Sequence, residues 1–589
     1  MSKGSDASNI EFERDYFLEP KLAVQRQYEA LRAHFVDGRK ADDVAGTFGY
    51  RRTTVYSLIR DFKAHLKSSP QSDFFFPQIE RVRHIADSCP DRDELIITLR
   101  KQYLSVEDIK IRLDAVSGSV STSYIWKVLH RVGFGRLPRR CSRKERSPEA
   151  ATRLEAPGSC LFTAQKDEFS TSVGGLFLFA ELMAKYGIDR VIRESGYPGS
   201  ATIPKLNSIT AFLALKLSNF SRYSHDDAWC MDRGLGLFAG LNVLPKTAWF
   251  SSYSYRVTRD MNLNFLQALN RVWQKYGLLE GAIGLDFTTI PCWGDDSQLE
   301  NNWSGKRNQA ISSILAALAH SPDSGIISYG HAGIRHQNES ETVLEFLDFW
   351  RADGGTAPRY LVFDSKFTSY ENLSRINADA IKFLTIRRRG KKIVEALDQL
   401  LPTAWKSIRV ECAGGKYRTL TINDSNIQLK GYNGEVRQIA ITGHGKIKPA
   451  LLITNDFDSP AETLIRTYTR RWLVEKTIAE QIYFFHLNRV SSSIVVKVDF
   501  DLTMSILAHN MYRLLAKELI GFEASSAETL FNKFVDIGAE VTADTNSIGI
   551  ELKKRRNLPQ ILEFGAKHTK LRHEWLGGRT IGFSGATTS

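Results

Sequence analysis

The sequence predicts a multidomain α/β chain in which tandem all-α units precede a mixed sheet with flanking helices. Three observations carry this expectation. Residues 21–148 hold short amphipathic segments and no strand-like run. Between 282 and 454, brief apolar runs bounded by turn residues are interspersed with other segments. Residues 406–443 alternate polar and apolar with several glycines, the pattern of an antiparallel β module. A chain of 589 residues with 42% hydrophobic content has room for several domains. Lys plus Arg number 79 against 66 acids, and the net charge of +13 favours a polyanionic partner, nucleic acid first. Cys89, Cys141, Cys160, Cys230, Cys292 and Cys412 lie far apart, none at zinc-ligand spacing, which points to a reduced, cytosolic chain. The stretch Met1–Glu11 is polar and carries no signal core, and no apolar run is long enough to span a membrane.

Residues 1–20 read as a flexible start. Residues 21–70 read as a helix-turn-helix unit. Leu22, Tyr28, Leu31 and Phe35 fall near one face, Asp42 to Phe48 form a second helix, and Gly49 turns the chain into a third. That third helix shows Arg51, Arg52, Thr53, Thr54, Ser57 and Arg60 on its polar side. The layout recurs in residues 90–148, with helices at Glu94–Tyr103, from Ser105 to about Ala115, and at Ser123–Val132. Here the last helix shows Ser123, Lys127, His130 and Arg131. A basic arm follows with Arg136, Arg139, Arg140, Arg143, Lys144 and Arg146, kept non-helical by Gly135 and Pro138. Such faces read base edges and phosphates, and such arms follow a DNA backbone or enter a minor groove. A pair of three-helix bundles packing on protein partners is the other reading of the same pattern.

Residues 170–277 read as a helical region. Strands are expected at Ala282–Ile290, Ile311–Ala319, Gly325–Gly330, Arg359–Phe363, Ile381–Ile386 and Leu451–Thr454, and long helices at about 459–486 and 500–520. Residues 521–589 read as a C-terminal helical region with the cations Lys553, Lys554, Arg555 and Arg556 and a mobile Gly/Ser/Thr-rich tail.

Two of these strands end in a carboxylate. Asp286 follows Ala282-Ile283-Gly284-Leu285, and Asp364 follows Tyr360-Leu361-Val362-Phe363. A buried strand holds a metal ligand rigidly, although a lone Asp at a strand end is more often a loop cap. The third element is a helix on which Tyr468, Arg471 and Glu475 share one face, with Trp472 beside them. For Arg471 and Glu475, a solvated ion pair is the plainer reading. His331 and His336 lack a third ligand, and His486 lies too far along from Glu475 to share a metal. The surroundings of Tyr468 lack the basic cluster with His that a tyrosine-type recombinase needs.

Taken in order, Asp286 with Thr288 two places on, a second strand ending in Asp364, Thr454-Asn455 after a strand, and Tyr468-x-x-Arg471-Trp472-x-x-Glu475 resemble bacterial insertion-sequence transposases. The resemblance is to the DDE group (insertion sequence type four) in which a β module interrupts an RNase H-like core before the catalytic Glu. It covers roughly residues 170–520. It implies an RNase H-like catalytic domain at 278–520 with the β insertion at about 400–448. It also implies Asp286, Asp364 and Glu475 as catalytic metal ligands, and Tyr468 and Arg471 as DNA contacts. The family often has Lys seven residues after the Glu, and here that position is Ile482. The cofactor implied is Mg²⁺ or Mn²⁺, two per active site. Lys306, Arg307, the Arg387-Arg388-Arg389 run, Lys391 and Lys392 would extend the phosphate track. Expected partners are double-stranded transposon ends and target DNA, with a homodimer on DNA, in a bacterial cytoplasm at the nucleoid and without a membrane. A regulator derived from such an enzyme and a metal-dependent nuclease without strand transfer are the alternatives.

Overall fold

The computed structural model describes residues 23–68, 74–75, 90–101, 104, 106, 109–110, 112–113, 120–134, 160–163, 166–291, 299–304, 309–352, 358–367, 369–411, 417–445, 448–489 and 495–585. The expected flexible start at 1–20, the arm residues Arg136, Arg139 and Arg140, and the pair Lys306 and Arg307 lie outside the described residues.

The chain divides into two compact units, Met1–Cys89 and Pro90–Ser589. In the first, α1 (Ala23–Phe35), α2 (Ala41–Phe48) and α3 (Arg52–Ser68) enclose a small core that includes Leu31, Val44, Phe48, Val55 and Ile59. Gly49 ends α2 in the left-handed conformation, φ 67°, its N–H capping the Ala45 carbonyl. The second unit begins with α4 (Pro90–Lys101) and α5 (Thr122–Arg131). Ile96, Ile125 and Leu129 form their core together with Tyr255 and Val496 of the larger body.

That body starts with β1 (Asp167–Thr171) and six helices: α6 (Phe177–Tyr186), α7 (Ile188–Glu194), α8 (Lys205–Leu217), α9 (Arg233–Phe238), α10 (Thr247–Tyr253) and α11 (Arg259–Lys275). A ten-stranded mixed sheet follows. Its strands are β2 (Ala282–Pro291), β3 (Asn301–Ser304), β4 (Gln309–His320), β5 (Ile327–Ile334), β6 (Tyr360–Phe363), β7 (Lys382–Ile386), β8 (Lys406–Glu411), β9 (Tyr417–Gln428), β10 (Glu435–Thr442) and β11 (Ala450–Thr454). Spatially they run β3-β4-β2-β6-β7-β11-β10-β9-β8, with β5 also pairing β4. Among the described residues, only β2–β6 and β6–β7 are parallel pairs in this sheet. Helices α12 (Thr342–Arg351), α13 (Tyr370–Ala378) and α14 (Lys391–Asp398) lie between strands in sequence. Then come α15 (Ala461–Thr469), α16 (Trp472–Tyr483) and α17 (Val495–Glu518).

Helix α17 is buried along nearly its whole length. Several of its polar side chains are partnered. Asp499 meets Arg259 at 2.8 Å, Asp501 meets Lys216 at 2.9 Å, and Asn510 bonds both backbone groups of Ile327. Among the described residues, no helix is long and apolar enough to cross a membrane.

Three expectations need correcting. The antiparallel strands expected at 406–443 form, but as a continuation of the main sheet, because β10 pairs with the free edge of β11. The long helix expected at 459–486 is two helices. The chain tightens at Arg470 and Arg471, where Leu473 and Val474 donate to carbonyls three residues back. The region 521–589 is not simply helical. After α18 (Ala527–Leu530), β12 (Ala539–Ala543), β13 (Ser547–Leu552) and, beyond α19 (Leu558–His568), β14 (Thr580–Gly585) join β1 in a four-stranded sheet ordered β1-β12-β13-β14. Alternate residues Ile548, Ile550 and Leu552 are fully buried, the period-two pattern of a half-buried strand. The Gly/Ser-bearing tail is thus a strand as far as Gly585, and 586–589 lie outside the described residues.

Candidate active site

Asp286 sits in the middle of β2 rather than at its end. Leu285 is in register with Phe363, the last residue of β6, so Asp286 and Asp364 fall side by side where β6 stops. Beyond that point β2 is held by β4 alone, through Asp286↔Leu318 to Pro291↔Ser313. The chain after β6 turns through Ser365–Phe367, and Phe367 stacks on Phe287 at 3.8 Å between ring centroids. Each aspartate accepts the next residue's N–H, Phe287 to Asp286 at 2.9 Å and Ser365 to Asp364 at 2.6 Å. This fixes both carboxylates locally.

Glu475 comes from α16, which lies against β2 because of Gly284. A side chain at 284 would bring its Cβ within 2.8 Å of Val474 Cγ2. Gly284 and Asp286 point to the same sheet face, the face that α16 covers. Arg471, in the tight turn before α16, then joins the two elements. Its Nη1 donates to Asp286 Oδ2 at 2.5 Å and its Nη2 to Glu475 Oε1 at 3.0 Å. The turn is anchored by Arg470, which reaches Asp323 at 2.7 Å and the Pro322 carbonyl at 3.2 Å. Tyr468 lies beside Arg471, whose guanidinium carbon is 5.9 Å from the ring centre. Burial pushes the Tyr468 hydroxyl up to about 12.

The electrostatics are asymmetric. The Asp286 side chain is 15% exposed and that of Glu475 is 59% exposed. Burial pushes the Asp286 carboxyl up to about 6. Arg471 and the Phe287 N–H oppose that rise, while the negative charges of Glu475 and Asp364 add to it. The Thr454-Asn455 pair is structural: Thr454 Oγ1 donates to the Phe383 carbonyl at 2.6 Å, and Asn455 Oδ1 accepts the Phe383 N–H at 2.8 Å. Ile482 on α16 is partly buried, so that position offers an apolar side chain where a cation was sought.

Residues 280–511 match the family model described as a transposase DDE domain. The matched span takes in both strand aspartates, Arg471, Glu475 and most of α17. A comparison with curated proteins returns no match.

The other residues singled out in the sequence sit on other elements. On α3 and just before it, Arg51, Arg52, Thr54 and Arg60 are exposed, with Arg52 paired to Asp42 at 2.8 Å and Arg60 to Asp61 at 3.0 Å. On α5, Lys127 is exposed, whereas Arg131 pairs with Asp93 and its carbonyl accepts from Arg335 at 2.7 Å. Sequence reasoning missed Gly284 as a determinant of the site. Its signal was a glycine inside a strand, which marks close approach of another element.

Proposed function

We propose that the chain is a DNA transposase that cleaves element ends and joins them to target DNA by metal-dependent chemistry at Asp286, Asp364 and Glu475. The observation that carries this reading is Arg471 linking Asp286 to Glu475 beside Asp364, within a span similar to transposase DDE domains.

The residues suit a divalent cation. Three carboxylates are hard oxygen donors of the kind Mg²⁺ and Mn²⁺ prefer. The cost of ionising buried Asp286 is one that a cation relieves, and Arg471 now supplies part of that charge. Among the described residues, no three acid, imidazole or thiol groups already gather as a ligand set. When bound, two such ions would activate the attacking hydroxyl and stabilise the leaving oxygen. The chain itself does the rest. The strands hold Asp286 and Asp364 in fixed register, and α16 brings up Glu475. Arg471 has a planar fork suited to a phosphate as well as to carboxylates, and Tyr468 backs it. The exposed cations of α3 and Lys127 of α5 would seat element ends, with Arg136, Arg139 and Arg140 extending the contact. Two ends brought together imply a homodimer on DNA, in the bacterial cytoplasm at the nucleoid.

The test is joining of a pre-cut duplex end into a plasmid with Mg²⁺. Joined product supports the transposase reading. Cleavage without joining favours a nuclease, and binding with neither favours a regulator.

A further inference from the structure

We propose that a second anion site, shaped for a phosphate ester, opens beside the catalytic aspartates on the opposite face of the same sheet. It rests on the DNA-processing reading above, and it adds where a further backbone phosphate of the DNA is held. Phe363, Thr385 and Ile453 form one cross-strand row of β6, β7 and β11. Asp364 is one residue beyond that row, so it and Thr385 project to opposite faces. On the Thr385 side lies a cavity of about 450 Å³, lined among others by Ser365, Lys366, Ser369, Thr385 and Arg388. It sits where parallel strands β6 and β7 end, the position at which α/β sheets open crevices for ligands.

The lining is selected for negative charge. In the run 387–389, Arg387 donates to Gln438 Oε1 at 2.6 Å, and Arg389 donates to the carbonyls of Lys448 and Pro449 at 3.0 and 2.9 Å. Arg388 has no such tie among the described residues and lines the cavity, as does Lys366, which is likewise without a carboxylate partner there. Glu339 is the only acid among the lining residues, and its Oε1 is 2.8 Å from His336 Nδ1. Thr385 is 1% exposed, and its hydroxyl has no hydrogen-bond partner among the described residues. A buried hydroxyl left unpaired is costly, and a phosphate oxygen accepts from it. Two free cations and hydroxyl donors around one cavity match an anion with several oxygens. The occupant is a phosphate of a DNA strand crossing the sheet edge next to Asp364.

The experiment uses the full chain. Anisotropy of a labelled DNA duplex is followed across a NaCl series for the wild type, Lys366→Ala/Arg388→Ala and Thr385→Val, with thermal melts beside it. The double variant is expected to bind about tenfold more weakly, with the slope of log K against log salt reduced by about 1. Thr385→Val should weaken binding at unchanged slope, and in the melts it should be at least as stable as the wild type while the double variant is unaltered. A second arm titrates inorganic phosphate into the thermal melt. Unchanged duplex binding in the variants, with phosphate stabilising only the wild type, overturns the DNA strand as occupant in favour of a free phosphate ester. Unchanged duplex binding with no phosphate stabilisation overturns the site. A wild type that ignores duplex yet is stabilised by phosphate through Lys366 and Arg388 sinks the DNA-processing reading and leaves the anion site standing.

Discussion

Asp286 and Glu475 share one guanidinium and little else. Asp286 is fixed in mid-strand, with neighbouring strands on both sides as far as Leu285 and little access to water. Glu475 stands on the first turn of a helix, mostly exposed, and meets Arg471 as a surface pair would. The contrast separates two tasks. A strand fixes position at the cost of burying charge, whereas a helix end delivers charge cheaply but depends on whatever holds the helix. Arg471 is the joint between them.

The largest expected effect comes from neutralising any of the three carboxylates. Asp286→Asn, Asp364→Asn and Glu475→Gln should each reduce Mg²⁺-dependent cleavage to background while duplex binding persists in an anisotropy assay. Normal cleavage by any of the three would strike that residue from the set. Next is Arg471→Ala, expected to lower strand transfer about a hundredfold, the scale set by misplacing a reacting group by ~1 Å. Arg471→Lys should recover only part, since Lys lacks the fork. An exposed ion pair alone is worth only ~0.3–0.5 kcal/mol, so full activity in Arg471→Ala would reduce the joint to surface decoration.

The third prediction uses pH. The folded Asp286 carboxyl lies near 6 against an ordinary 3.8, so the proton is held more tightly in the folded state. The stability this lends is full below about pH 4 and is lost as pH rises through about 6, with a span of roughly 3 kcal/mol. Metal-free wild type should therefore lose melting temperature between pH 4 and 7 relative to Asp286→Asn, and Mg²⁺ should restore it most above pH 6. Parallel melting curves for the two proteins across that range would break the asymmetry between Asp286 and Glu475. The smallest effect is expected from Gly284→Ala. Its Cβ would crowd Val474 and push α16 outward, costing about 1–3 kcal/mol. A drop in cleavage at temperatures where the variant stays folded would locate the defect in the reach of Glu475.

Most of the sheet was legible because its strands are short apolar runs with their own turn signals. The placement of Asp286 and Asp364 followed from matching strand patterns. The strand expected at Ala282–Ile290 already ran past Asp286, and pairing to β4 places that residue in mid-strand rather than at a strand end. The break between α15 and α16 was invisible, since Arg470 and Arg471 are good helix formers. Tertiary ties to Asp323 and Asp286 set the turn instead. β1 was missed for a related reason. Asp-Glu-Phe-Ser-Thr looks polar, and only its partner β12, far along the chain, makes it a strand. At the site, the reach of Arg471 to both carboxylates could not be read from helical spacing alone, because the helix expected to space them is broken there.

The sheet built from β1, β12, β13 and β14 also has a bearing on synthesis. On a translating ribosome, β1 emerges long before the three strands that complete its sheet, and the catalytic sheet is made in between. Until residues 539–585 are released, β1 presents an unpaired edge. A message cut short anywhere after α17 would therefore yield a chain carrying every candidate catalytic residue but lacking its closing sheet. Such a product would be exposed to proteolysis and aggregation.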